Sequence, residues 1–187
     1  MRLTEIAQSW LAEVIQQGDA VVDATLGNGA DALFLAQQIG KDDVLFGFDV
    51  QQQAIDSSHL LLTSQPCEQH LVLAGHETMQ THIPRQFHGN IKAIMFNLGW
   101  LPNSDKSIIT HADTTITALE QSLELLAPNG RMTIMVYPGH QGGDTEAGQV
   151  ITWLKQNCRP PLFDLNKIVL PNRPTAPILL QVTKLKV

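Results

Sequence analysis

The most constraining feature of this chain is the way two periodicities alternate along it. Short apolar runs with strand character are separated by stretches whose apolar residues recur at helical spacing. Leu3, Ile6, Trp10, Leu11, Val14 and Ile15 predict an amphipathic first helix that stops near Gly18. Ala20–Ala24 reads as a buried strand, and Asp31–Ile39 as a helix with Gly40 just past its end. A strand at Val44–Phe48 and a helix at Gln51–Leu62 follow, then strands at His70–Ala74 and Ile91–Phe96. Asp113–Leu126 predicts a helix, Pro128–Gly130 a turn, Arg131–Val136 a strand and Glu146–Gln156 a helix. Strands alternating with helices imply a parallel sheet covered on both faces. The last two runs, Leu165–Leu170 and Ile178–Thr183, have only Pro171–Pro177 between them. A parallel crossover needs about a dozen residues or more, so these two strands are expected to be antiparallel. The expected fold class is α/β, a doubly wound sheet, mostly parallel with an antiparallel last strand, in one domain over residues 1–187.

Composition narrows the function. The chain is 43% hydrophobic and 16% charged, which suits a packed core rather than disorder. Its formal net charge of −6 argues against loose, charge-driven binding to nucleic acid. Cys67 and Cys158 are too few for a disulfide scaffold or a cysteine zinc site, and they are expected to be inert thiols. The histidines show no paired ligand spacing, so no metal is expected. Polar residues interrupt the first ten positions, and no long apolar run occurs. Neither a signal peptide nor a membrane span is expected, and the cytoplasm is the expected location.

Ligands of doubly wound sheets sit beyond the carboxyl ends of the strands. Here that edge collects Asp23–Gly29, Asp49, Gly75-His76, Asn97–Pro102 and Tyr137–His140. Asp23, Gly27, Asn28 and Gly29 form a turn that a ligand can approach closely, and Asp49 is placed to accept from ribose hydroxyls. A dinucleotide fingerprint needs a third glycine, where this chain has Ala30-Asp31-Ala32. Asp31 at a helix start repels a pyrophosphate, whereas a cationic sulfonium tolerates Asp23 and Asp31. S-adenosyl-L-methionine is therefore the favoured cofactor over a dinucleotide, and a P-loop is excluded because no Gly-Lys-Ser/Thr occurs.

The segment Asp23-Ala-Thr-Leu-Gly-Asn-Gly-Ala-Asp31 resembles motif I of class I methyltransferases, and Phe48-Asp49-Val50-Gln51 resembles their acidic ribose-binding motif. Asn97-Leu-Gly-Trp-Leu-Pro102, Tyr137-Pro-Gly-His140 and Asn172…Ala176-Pro177 together resemble the narrower putative rRNA methylase family. Leu26 and Ala30 depart from that family's pattern, where cysteine or a polar residue is expected. The resemblance implies a Rossmann-like methyltransferase sheet and an S-adenosylmethionine-dependent RNA methyltransferase. Its implied substrate is the aminomethyl group of 5-aminomethyl-2-thiouridine at the tRNA wobble position. It also implies tRNA as partner and a homodimer.

Within that reading, Asn97 aims the lone pair of the amine; the alternative is a strand-end turn residue. His140 is the expected proton acceptor, or else a structural or RNA-contacting histidine. Gln51, Gly75 and His76 are assigned to the cofactor, with His76 a solvent-facing loop residue otherwise. Trp100 stacks on the base or packs in the core, and Tyr137 borders the substrate. Asn172 and Arg173 lie in a loop beside the pocket, where Arg173 either holds a phosphate or stands free. Met132 and Met135 are expected in the core on opposite faces of their strand. A small-molecule methyltransferase and an rRNA methyltransferase are the rival enzymes. A non-catalytic cofactor-binding protein is the rival from another class.

Overall fold

The computed structural model describes residues 2–99, 110–138, 143–170 and 176–186. Seven strands form one sheet: β1 (Ala20–Asp23), β2 (Val44–Asp49), β3 (Glu68–Leu73), β4 (Ile91–Asn97), β5 (Leu126–Val136), β6 (Phe163–Val169) and β7 (Ile178–Lys184). Among the described residues six α-helices accompany them: α1 (Leu3–Ala12), which precedes β1, α2 (Ala30–Gln38), α3 (Gln52–Leu62), α4 (Met79–His82), α5 (Ala112–Leu125) and α6 (Gly143–Asn157). The spatial order is β3-β2-β1-β4-β5-β7-β6. β1 to β5 run parallel, and β7 runs antiparallel to both β5 and β6. This is the expected Rossmann-like sheet with its reversed last strand, which is inserted between β5 and the edge strand β6.

Alternation along the central strands divides the core. Val21, Leu45, Ala93 and Met95 pack with α1 to α3 on one face. Val22, Phe46, Ile94 and Phe96 pack with α4 to α6 on the other. All four residues of β1 are buried, so the strand next to the reversal in strand order is dry on both faces. Each fully buried side chain such as Phe46 contributes about 1.5–3 kcal/mol relative to exposure. Met132 and Met135 are buried in different clusters, as expected for opposite faces of β5.

Two local readings differ, and one stretch carries no reading. The first helix ends at Ala12 rather than near Gly18. The Arg131 guanidinium donates to the Trp10 carbonyl, and Val14 N–H therefore turns to Leu11 O at 3.0 Å, which tightens and ends the helix. Pro128–Gly130 is a bulge inside β5, where the partner of Ile91 is Leu126 and the partner of Ala93 is already Arg131. Asn129 takes a φ of 60°, a left-handed value that asparagine tolerates. The short helical turns between His76 and Phe87 carry too few residues to show a period.

Candidate functional site

A cavity of about 630 Å³ opens at the carboxyl ends of β1, β2 and β4, the edge expected from the topology. Its volume lies within the usual range for small-molecule sites. The turn after β1 forms one wall. Gly27 (φ 53°) and Gly29 (φ 80°) both adopt left-handed backbone, which favours glycine. Their tasks differ. Gly27 and Asn28 line the cavity. Gly29 does not; a Cβ there would stand 3.0 Å from Ser58 Cα, so it lets α3 pack against the turn.

Asp49 closes this wall. Its Oδ2 accepts from Gly27 N–H and its Oδ1 from Gln51 N–H, both at 2.9 Å. Each oxygen keeps a lone pair for a ligand hydroxyl. Gln51 and Gly75 also line the cavity. Asp23 lies deeper, fully buried and outside the lining. Its Oδ1 accepts from Thr25 N–H at 3.1 Å, and its Oδ2 has no partner. Burial first, then the neighbouring charges of Asp31 and Asp49, hold the Asp23 carboxyl well above its usual range. Asp31 and Asp49, the two acids that line the cavity around this turn, fit a cationic ligand better than a pyrophosphate.

His76 is 7% exposed and lines the cavity, so it is not a solvent-facing loop residue. Its ring meets Phe96 edge-on, and its Nε2 is buried without a partner. Burial pushes its pKa down, so a neutral imidazole faces the cavity at pH 7.

Next to this turn the cavity carries a chain of hydrogen bonds. Gln8 Nε2 donates to Asp31 Oδ1 at 2.9 Å, and Asn97 Nδ2 donates to Asp31 Oδ2 at 3.3 Å. The Tyr137 hydroxyl donates to Asn97 Oδ1 at 2.8 Å, and Asn97 N–H donates to Thr25 Oγ1 at 2.7 Å. Burial and then the Asp31 charge push the Tyr137 phenol up, so it stays protonated at neutral pH. Asp31, Asn97 and Tyr137 line the cavity; Gln8 supports them from behind. Next to Asn97, Gly99 and Thr110 are paired by Thr110 N–H to Gly99 O at 3.1 Å and by Gly99 N–H to Thr110 Oγ1 at 3.0 Å. The buried Glu146 accepts from the Thr110 and Thr115 hydroxyls, each at 2.9 Å.

The structure thus gathers Asn28, Asp31, Asp49, Gln51, Gly75, His76, Asn97 and Tyr137 at one cavity and sets Asp23 and Gly29 behind it. His140, Trp100, Asn172 and Arg173 lie outside the described residues. Sequence reasoning missed Gln8, Thr25 and Glu146. Gln8 stands on the polar side of an amphipathic helix, and no spacing rule ties it to a turn 23 residues on. Cys67 and Cys158 are buried, and burial raises both thiols, Cys158 to about 12. Among the described residues no group of three or more His, Cys, Asp or Glu can hold a metal ion. None of their helices is long and apolar enough to cross a membrane.

Sheet order, reversed strand and acidic glycine turn together define a Rossmann-like methyltransferase. The crystal structure of the putative rRNA-methylase from Clostridium thermocellum superposes with a TM-score of 0.92 at 34% identity, covering 99% of this chain and 98% of that one. A putative methyltransferase from Streptococcus mutans, in complex with SAH, gives 0.87 at 33% identity over 99% of both chains. The chloroplastic tRNA (mnm(5)s(2)U34)-methyltransferase of Arabidopsis thaliana is 34% identical over 98% of this chain and 69% of its own length. The Putative rRNA methylase family model matches residues 45–184, and the chain belongs to that family.

Proposed function

We infer that this chain transfers the methyl group of S-adenosylmethionine to the exocyclic amine of 5-aminomethyl-2-thiouridine at the tRNA wobble position. The observation that carries the reading is the neutral pair Asn97–Tyr137, joined at 2.8 Å on the cavity wall next to the acidic turn. A free amine must present its lone pair to the methyl carbon, in line with the breaking C–S bond. The nitrogen lone pair forms the new N–C bond, and the C–S pair returns to sulfur. The resulting ammonium then loses a proton, for which His140 is the expected acceptor. Positioning supplies most of the acceleration in such a displacement. Asp49 would take the ribose hydroxyls and His76 the far end of the cofactor, while the acids of the turn favour its cationic groups.

The Arabidopsis relative's name supports the tRNA substrate. A wobble base lies in a single-stranded loop and enters a pocket without melting a duplex. Trp100 would stack on it, while Asn172 and Arg173 would border its phosphates. The homodimer belongs to the same reading, because a second copy enlarges the RNA footprint of a small chain.

One observation favours the small-molecule reading: no Lys or Arg occurs among the described residues lining the cavity. Methyl transfer from labelled cofactor into fractionated RNA separates the two. Label in the tRNA fraction, falling steeply with salt, is the expected result. Label in a metabolite pool alone, with salt-insensitive turnover, rejects the RNA substrate.

A further inference from the structure

The geometry points to Gln8, on α1, as a positioning residue for methyl transfer: it holds Asp31 so that the Asn97 amide can face only one way, and so makes the Tyr137 oxygen an acceptor for the incoming amine. This rests on the amine reading above. The polarity follows from donor and acceptor chemistry alone. An amide NH2 only donates and an amide oxygen only accepts. Asp31 receives Gln8 Nε2 on one oxygen at 2.9 Å and Asn97 Nδ2 on the other at 3.3 Å. Asn97 Oδ1 is then turned to Tyr137 and takes the hydroxyl proton at 2.8 Å. What Tyr137 has left for the cavity is lone pairs. They accept an N–H of the substrate amine and leave the amine's own lone pair free to attack.

The reverse arrangement would defeat the reaction. With Asn97 flipped, its oxygen would face a carboxylate oxygen, and its NH2 would face Tyr137. The tyrosine proton would then turn into the cavity and occupy the lone pair that must attack the methyl carbon. Gln8 excludes this by fixing the rotation of Asp31. It does so as a neutral donor, which a lysine or arginine could not, so the negative charge of Asp31 remains available to a cationic cofactor. Helix α1 is itself pinned: Arg131 donates to Glu13 at 2.8 Å and to the Trp10 carbonyl, and lies 4.5 Å above the Trp10 ring.

Two variants test this. Gln8→Ala keeps a strong helix former on a partly exposed site, and Gln8→Glu keeps the shape. In Gln8→Ala, kcat on tRNA bearing the aminomethyl group should fall about ten-fold, the loss of one hydrogen bond to a charged acceptor. The dissociation constant for S-adenosylhomocysteine should stay within about two-fold. In Gln8→Glu the introduced carboxyl shares a site with Asp31 and takes up a proton as pH falls, restoring a donor. Its rate relative to wild type should therefore rise toward acid. Asp23 on β1 and Tyr137 after β5 feel the Asp31 charge, Asp49 on β2 shares the cavity lining with it, and Glu5 one turn back on α1 is paired to Arg2. A third readout needs no substrate: the Asn97 side-chain amide resonances, assigned by their loss in Asn97→Ala, should shift in Gln8→Ala. Unmoved resonances, or an unchanged kcat, overturn the proposal. If wild-type enzyme leaves this tRNA unmethylated, the amine reading falls, while the resonances still decide whether Gln8 sets Asn97.

Discussion

Replacing Asp49 with Asn tests the ribose end of the site and separates binding from folding. In the native chain both oxygens accept backbone N–H groups at 2.9 Å, from Gly27 and from Gln51. The carboxamide must set its NH2 against one of these donors. A backbone N–H left unsatisfied in this way costs about 1–3 kcal/mol. For a chain of this size each kcal/mol is worth about 2–4 °C, so the melting temperature should drop by about 5 °C and the fold should survive. The cofactor loses more. One oxygen remains for the ribose, without charge, and a hydrogen bond to a charged group is worth about 1.5–3 kcal/mol. At about 1.4 kcal/mol per decade, S-adenosylhomocysteine should bind about ten- to a hundred-fold more weakly. Isothermal titration beside thermal melts reads both quantities. A lower melting temperature with unchanged affinity would show that Asp49 serves the glycine turn alone, and the ribose assignment would fall.

Other outcomes follow from the same geometry. Tyr137→Phe should lower kcat about ten-fold in single-turnover methylation without weakening S-adenosylhomocysteine, because in this reading the hydroxyl serves Asn97 and the amine rather than the cofactor. Asp23 gives a pH signature. Its folded pKa lies above the ordinary 3.8, so the folded chain keeps a proton that the unfolded chain has released. Stability is therefore fully present below 3.8 and is lost as pH rises through the folded value. Asp23→Asn should remove that slope in melts taken across pH, converging with wild type in acid and exceeding it at neutral pH; parallel slopes would refute the buried acid. With its thiol pushed up to about 12, Cys158 should hold only about one part in ten thousand as thiolate at pH 8, and iodoacetamide should label it only on unfolding.

The fold was legible because its signals are local. The switch between periods two and 3.6 marks each element, and the short Pro171–Pro177 connection forces the antiparallel ending. The glycine-turn side of the cavity was legible for the same reason, as glycines and an acid stand at strand ends in one short stretch. Side-chain reach was not legible. Gln8 touches Asp31 across 23 residues, and Asn97 meets Asp31 across 66. The length of α1 was misread because a guanidinium from β5 takes a helix carbonyl, a tertiary contact with no local sign. Gly29 read as a ligand-facing glycine, yet its missing Cβ makes room for Ser58, a packing demand from the next helix. The turn signal at Pro128–Gly130 was real, but pairing on both sides of it made a bulge.

The most direct test of the account is nucleoside mass spectrometry of tRNA carrying 5-aminomethyl-2-thiouridine after incubation with enzyme and S-adenosylmethionine. The predicted result is that nucleoside heavier by one methyl on the exocyclic nitrogen. Asn97→Ala should bind the cofactor normally and leave the nucleoside unchanged. Unmodified nucleoside from wild-type enzyme, beside an active control, or full activity in Asn97→Ala, would contradict the account.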